Sequence, residues 1–411
     1  MVDCCSAPGL VTLEYAMDKL LGMVSNKQPI EIVNLEDALG RILAQDQSST
    51  LNIPPEDNSA MDGYAVRFAD AIDGAQLKMV AKVFAGHPLA QTIEPGECAR
   101  IMTGGQVPAG CDAIIMQENT SAADDVITIN QTVIDGEHIR RRGEDITVGQ
   151  TVLVKGRRLT AADIGSLAGL GNQKISVYKK LSIALISTGD ELKKPGETLE
   201  PGQFYESNGY TVNALLKRLD VNIINFGIIE DDIQKLTEVF SQADQQADIV
   251  ITSGGVSVGE ADYTKTVLEK LGEIAFWKLA IKPGKPFAFG MLPDSYFIGL
   301  PGNPVSAMVT LHQLAVPIIR KVSGENAKTP LRLAATTNLK IGKRPGRTDF
   351  QRGVYEVNAQ GQLTVSPNGA QGSGILSSMS RANCYIVLEK DRGAVAAGES
   401  VIIEPFDELL S

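Results

Sequence analysis

The sequence predicts a multi-domain protein of the α/β plus β class: a central, mostly parallel α/β sheet domain, an inserted mostly-β domain, an N-terminal helical segment and a small C-terminal β-barrel. Three observations carry this expectation. Between residues 180 and 324, apolar runs alternate with helical patterns in strand–helix order, which calls for a parallel sheet covered on both faces. From 77 to 154, and again from 328 to the end, the runs shorten and Gly, Pro and Asp separate them, as in compact β structure. Two helical patterns, 10–25 and 160–170, flank the first β-rich stretch. If they pack together, the stretch between them is an inserted domain. A chain of 411 residues also calls for about two to four cores. The expected domains are 1–50 with 146–178 (helical, discontinuous), 51–145 (inserted), 179–327 (α/β) and 328–411 (barrel).

Each element has its own signal. Leu13, Met17, Leu20, Leu21 and Val24 recur at three- and four-residue spacing, which predicts an amphipathic helix over 10–25. A β-like run, 30–35, and a helical turn, 36–43, follow. Residues 52–66 are rich in turn formers and carboxylates, and Asp57, Asn58 and Asp62 fit plain turn chemistry. Strands are expected at 78–84, 99–102, 113–117, 126–129 and 151–154. Between them, Ile139-Arg140-Arg141-Arg142 suits either a bidentate phosphate clamp or an exposed cluster paired with Glu144 and Asp145. Thr160 and Asp163 have capping-box spacing and open a small-residue helix.

In the α/β region strands are expected at 182–187, 221–229, 247–252 and 274–279, with a further pair at 287–291 and 296–299. Helices are expected at 208–219, after the cap Asp231, and at 263–271. Asn303 followed by Pro304 opens a long final helix. The terminal strands are 331–336, 350–357, 363–365, 384–388 and 401–403.

Composition removes several functions. The 38 basic and 49 acidic residues give a net charge of −11, against duplex nucleic acid or an anionic membrane as the main partner. No uninterrupted apolar run reaches membrane-spanning length. The start, MVDCCSAPGL, lacks the basic and apolar regions of a signal peptide, so a cytoplasmic protein is expected. The five cysteines, at 4, 5, 98, 111 and 384, contain no CxxC, and the vicinal Cys4-Cys5 pair receives no role. With three scattered histidines, His87, His138 and His312, neither a zinc site nor a histidine triad is expected. Any metal should be hard and oxygen-liganded, with magnesium first.

The chemistry gathers at the carboxyl ends of the expected strands, where open α/β sheets bind ligands. The loops there carry Asp190 and Glu191; Asp231; Ser253-Gly254-Gly255 with Glu260 and Asp262; Lys278, Lys282 and Lys285; and Pro301, Asn303, Pro304 and Ser306. Glycine turns let backbone N–H groups approach an anion, carboxylates hold a cation, and lysines screen oxyanions. A phosphorylated ligand bridged by magnesium fits that set. Neither GxxxxGK[ST] nor a strand followed by GxGxxG occurs, so a P-loop and a Rossmann dinucleotide site are excluded.

Five motifs then carry a family resemblance. Asp57-Asn-Ser-Ala-Met-Asp-Gly-Tyr64, Thr188-Gly-Asp-Glu191, Ser253-Gly-Gly-Val-Ser-Val-Gly-Glu-Ala-Asp262, Lys282-Pro-Gly-Lys-Pro286 and Leu300-Pro-Gly-Asn-Pro-Val-Ser306 resemble the MoeA family, related to the gephyrin E-domain. The resemblance extends from about residue 10 to the end of the chain. It implies an α/β domain of the molybdopterin-binding kind and insertion of molybdate into adenylylated molybdopterin, with magnesium and release of AMP. It also implies a homodimer whose site is shared between subunits, and contact with the adenylyltransferase that supplies the substrate.

By motif match, Glu191, Asp231 and Asp262 would serve magnesium and the nucleotide phosphate. Lys278, Lys282 and Lys285 would face molybdate, and Pro301, Pro304 and Ser306 would shape the pocket. Asp62, Thr103, Arg140 and Asp145 would come from the other subunit, while Arg352 and Ser373 would be C-terminal oxyanion contacts. Two rivals stand beside this reading. A molybdopterin adenylyltransferase resembles the α/β domain alone, and a non-enzymatic scaffold has no need of so many polar rim residues.

Overall fold

A computed structural model describes residues 9–255, 263–407 and 409–410. Two compact units emerge. The first comprises Met1–Ala44, Gly156–Thr160 and Lys174–Ser411; the second comprises Gln45–Lys155 and Ala161–Gln173.

The first unit is built on a six-stranded sheet in the order Asn222–Ile229, Ser182–Thr188, Ile249–Ser253, Tyr296–Leu300, Pro286–Met291 and Glu273–Lys278. The first four strands are parallel. Pro286–Met291 runs antiparallel to both of its neighbours. Glu273–Lys278 therefore points the same way as the parallel four, and the carboxyl ends of all five share one rim.

The strands are apolar because both faces are covered. Leu185, Ile251 and Ile298 pack in one core with Val212 and Leu216 of the helix Asn208–Lys217. Ile186, Val250 and Phe297 pack in another with Leu236 and Phe240 of the helix Ile233–Gln246. The expected long final helix is broken into Pro304–Thr310, a π-helical turn at Leu311–Ala315, and Val316–Val322.

The C-terminal strands close into a five-stranded barrel: Thr348–Val357, Leu363–Pro367, Leu333–Thr337, Ser400–Pro405 and Cys384–Leu388, the last pairing back to the first. A short strand of the α/β domain, Ile281–Lys282, adds to Thr348–Val357 in parallel. The helix Leu13–Met23 buries Leu13, Ala16 and Leu20 in the same core as Ile318 and Val322. The other helix of the expected pair, Ala161–Gly169, belongs to the second unit. The apolar stripe of the N-terminal helix is already covered by the final helix of its own unit.

The second unit carries its own six-stranded sheet, ordered Ala113–Met116, Gly63–Val66, Glu97–Ile101, Gln76–Val83, Val126–Ile129 and Thr120–Ala123. Each strand expected here forms within two residues of its expected bounds. Gly63–Val66, expected as turn, lies between two neighbours and is wholly buried. Among the described residues no helix is long and apolar enough to cross a membrane.

Candidate functional site

Along the shared rim of the first unit opens a cavity of about 940 Å³. Its wall includes Glu191, Asp231, Ser253, Gly254, Gly255, Pro301, Pro304 and Ser306, all expected from the sequence. Glu260 and Asp262 lie outside the described residues, as do Cys4 and Cys5.

The glycine turn follows Ser253 directly. Gly254 has φ of +93°, and a Cβ there would sit 2.8 Å from the Thr188 carbonyl oxygen, so the turn passes hard against the neighbouring strand end. Glycine tolerates both constraints and other residues do not. Gly254→Ala is expected to cost about 2 kcal/mol or more, read as a lower thermal midpoint. A midpoint equal to wild type would mean that the turn relaxes freely. Beside it, the buried hydroxyls of Thr188 and Thr264 have no hydrogen-bond partner among the described residues.

Two carboxylates reach this cavity from adjacent strand ends. Glu191 follows Ser182–Thr188, and its backbone carbonyl accepts the Phe204 N–H at 2.8 Å. Asp231 follows Asn222–Ile229, and its N–H donates to Asp190 Oδ1 at 3.0 Å. The helix cap expected of Asp231 belongs to Asp232, whose Oδ1 accepts the Lys235 N–H at 2.9 Å. Because the helix begins at Ile233, only Asp232 has the register to reach that donor. The cap role thus leaves the Asp231 side chain on the cavity wall.

Sequence reasoning missed a further part of the wall. Leu192–Lys193 and Phe204–Tyr205 form a parallel ribbon that sets Phe204 and Tyr205 beside the cavity. The Tyr205 hydroxyl donates to the Glu197 carbonyl at 2.8 Å. Glu206 is buried and accepts the Gly209 N–H at 2.6 Å. A protein carboxylate therefore already occupies the start of the helix Asn208–Lys217, which directs an incoming anion to the glycine turn instead. Asn208 donates to the Gly302 carbonyl at 2.8 Å and braces the Pro301–Pro304 loop. The available signal was the aromatic pair Phe204-Tyr205 between two turn-rich stretches.

Lys278, Lys282 and Lys285 are exposed on the same rim but do not line the cavity. The Leu279 N–H donates to the Lys285 carbonyl at 2.7 Å and closes the loop that carries them. Arg352 is 1% exposed. It donates to Ser378 Oγ at 3.0 Å and to the Gly372 carbonyl at 3.2 Å, and burial lowers its pKa from the ordinary arginine value. No carboxylate pairs with it among the described residues. It braces the 372–374 turn, in which the Ser373 carbonyl accepts the Val305 N–H at 3.0 Å and Gly374 lines the cavity.

In the second unit, Asp62 accepts two hydrogen bonds from Thr103, from its N–H and its hydroxyl, each at 2.7 Å. The backbone bond first, then the hydroxyl, holds the exposed carboxyl below its usual range. Arg140 stands exposed on a two-residue ribbon paired with Asn58–Ser59. Asp145 is exposed nearby in sequence, and its N–H donates to the Ile53 carbonyl at 3.0 Å. The arginine run divides. The Arg141 guanidinium pairs with Asp57 at 2.8 Å while its N–H donates to Glu144 Oε2 at 2.8 Å, and the Arg142 N–H donates to the Asp57 carboxylate.

Among the described residues no group of three His, Cys, Asp or Glu side chains stands close enough to hold a metal alone. Two carboxylates on one cavity wall nevertheless suit magnesium, which typically takes one or two carboxylates together with phosphate oxygens and water. The donors are hard oxygens throughout.

Three family models match the chain: MoeA N-terminal region (domain I and II) over residues 11–171, probable molybdopterin binding domain over 184–321, and MoeA C-terminal region (domain IV) over 334–406. A molybdopterin molybdenumtransferase of Haemophilus influenzae is 46% identical, covering 98% of this chain and 100% of the relative. One of Nostoc is 36% identical, covering 93% of this chain and 90% of the relative. A crystal structure of a molybdopterin biosynthesis MoeA protein from Pyrococcus horikoshii superposes with a TM-score of 0.78 at 31% identity, over 97% of this chain and 99% of that one.

Proposed function

Since the chain belongs to the MoeA family, as a transferase of molybdenum-cofactor biosynthesis, we propose that it inserts molybdenum from molybdate into adenylylated molybdopterin and releases AMP. One observation carries the substrate reading: Glu191, Asp231 and the Ser253–Gly255 turn line one cavity at the carboxyl edge of the sheet. A turn of close-approaching backbone recognises phosphate, and two adjacent carboxylates recognise the cation that accompanies a pyrophosphate.

In this reading the backbone of the glycine turn holds the phosphate, and the Pro301–Pro304 loop and Ser306 fix the pterin side of the substrate. Lys278, Lys282 and Lys285 draw molybdate to the rim. Arg352 keeps the Ser373 turn in place. Glu191 and Asp231, with Asp262 by motif, would hold magnesium, which when bound supplies neutralising charge to the pyrophosphate. No side chain acts as a covalent nucleophile, so positioning and fixed charge carry the rate. We take the active form to be a cytoplasmic homodimer in which Asp62, Thr103, Arg140 and Asp145 serve the substrate held by the other subunit. The adenylyltransferase that supplies the substrate is a further expected partner.

The test is AMP release from adenylylated molybdopterin with magnesium, with and without molybdate. Release that depends on both is the expected result. Synthesis of adenylylated pterin from ATP and molybdopterin, with no molybdate-dependent release, would replace this reading with an adenylyltransferase.

A further inference from the structure

Asp349 lies on the first long strand of the barrel and is 3% exposed. A buried carboxylate needs compensation by hydrogen bonds and countercharge. The neutral support here is thin: Gln351 Nε2 approaches Asp349 Oδ2 at 3.4 Å, and the same nitrogen makes its shorter bond, 2.9 Å, to the Gly342 carbonyl. Two cations compensate it: Lys282, whose Nζ lies 3.8 Å from Asp349 Oδ2, and the buried Lys343, on which Asp349 exerts the largest charge effect.

Lys282 and Asp349 are register partners in the parallel pairing of Ile281–Lys282 with the barrel strand. The Thr348 N–H donates to the Ala280 carbonyl at 2.8 Å and locks that register. The Lys282 side chain is half exposed, so one side of the ammonium faces the acid and the other is open to solvent. The second lysine, Lys343, is 8% exposed and donates to the carbonyls of Arg347 at 2.8 Å, Lys390 at 3.3 Å and Arg344 at 3.4 Å. Spread over those carbonyls, Lys343 is fixed in place, which leaves Lys282 as the solvent-exposed cation that Asp349 can orient.

We infer that Asp349 is a positioning residue for the transfer reaction: from the barrel, it fixes the ammonium of Lys282 at the rim where molybdate is to be captured. The inference rests on the function proposed above and on the site role of Lys282. A free lysine at this rim would sweep a wide arc, and orientation is worth rate only when the charge is held where the oxyanion arrives.

Asp349→Asn, Lys282→Ala and the double variant form the test, with molybdate-dependent AMP release as one readout and the KM for molybdate as the other. Asp349→Asn is expected to lower kcat/KM for molybdate by about tenfold, with the KM for adenylylated molybdopterin unchanged. In the Lys282→Ala background the same change should have no further effect, and Asp349→Glu should restore part of the loss. A structural role alone would instead lower the thermal midpoint and add fully to Lys282→Ala. Full additivity, or wild-type kinetics for Asp349→Asn beside an impaired Lys282→Ala, overturns the inference and leaves the proposed function standing. Wild-type kinetics for Lys282→Ala removes the premise and the inference with it. If Asp349→Asn does not fold, the cycle is run with Asp349→Glu, where loss of the Glu effect in the Lys282→Ala background is the supporting result and its persistence the contrary one.

Discussion

Glu191→Ala is expected to cut molybdate-dependent AMP release by about a thousandfold while leaving the fold and its thermal midpoint close to wild type. The two halves of that expectation have separate grounds. Glu191 is exposed, and its carboxylate accepts no hydrogen bond and forms no ion pair among the described residues. Its structural contribution comes from the backbone, which holds Phe204 and which the substitution keeps. A side chain with so little to do for stability, on the wall of a cavity it shares with Asp231, is available for the ligand. Losing it leaves Asp231 beside Glu206, which is already engaged by the Gly209 N–H, and should raise the magnesium concentration needed for half-maximal rate. A variant that turns over within about threefold of wild type would mean that pyrophosphate and magnesium are held elsewhere.

How much of this was legible in the sequence depends on which physics each element obeys. The five strand ends were readable because a parallel sheet needs long apolar runs and helical crossovers, and both leave strong periodic signals. Once the strands were identified, the rim followed from their carboxyl ends, and with it Glu191, Asp231 and the glycine turn. Gly63–Val66 was not readable. It is short, follows a turn-rich stretch, and starts with a glycine whose added Cβ would lie 1.9 Å from the Ile115 carbonyl oxygen. A residue chosen for close backbone approach looks, in sequence, like a turn residue. That strand fixes the start of the segment after Asp62, which explains how an apparent turn aspartate comes to be held against Thr103.

Adjacent acids were the other difficulty. Asp231 and Asp232 have the same capping chemistry, and only the register of the helix start separates a cap from a cavity wall. The three lysines show a related limit. Spacing placed them on the correct rim, but whether a long side chain faces the cavity or a buried acid on another domain depends on a contact across 67 residues of sequence, Lys282 to Asp349.

The same kind of distant contact underlies the largest expected loss of stability, from Glu325→Gln. The Glu325 side chain is 1% exposed. Its Oε2 accepts from Arg158 Nη2 at 2.7 Å and Nε at 3.1 Å. Arg320 lies 3.7 Å away and Lys328 3.4 Å from the other oxygen. Arg158 also donates to the carbonyls of Gly40 at 2.8 Å and Leu219 at 3.2 Å. One guanidinium thus ties the N-terminal stretch, the end of an α/β helix and the end of the final helix to the segment Gly156–Thr160.

Neutralising Glu325 leaves Arg158 without its carboxylate and the partly buried Arg320 with Asp407 alone, at 4.0 Å, and breaking a buried pair from one side costs about 3–5 kcal/mol. For a unit of this size the thermal midpoint should fall by roughly 6–15 °C. The pH dependence has a definite sign. Burial opposes ionisation of Glu325, but the Arg158 hydrogen bonds and the charges of Arg158, Arg320 and Lys328 outweigh it and hold the carboxyl below its usual range. A depressed folded-state pKa gives stability that is fully present above the unfolded value of about 4.3 and is lost as pH falls through the folded value. Wild type and Glu325→Gln should therefore differ most at neutral pH and converge under acid. A constant gap between their denaturation midpoints from neutral pH down to about pH 3 would show that the lost stability comes from shape and packing, and the ionic account of this staple would fail.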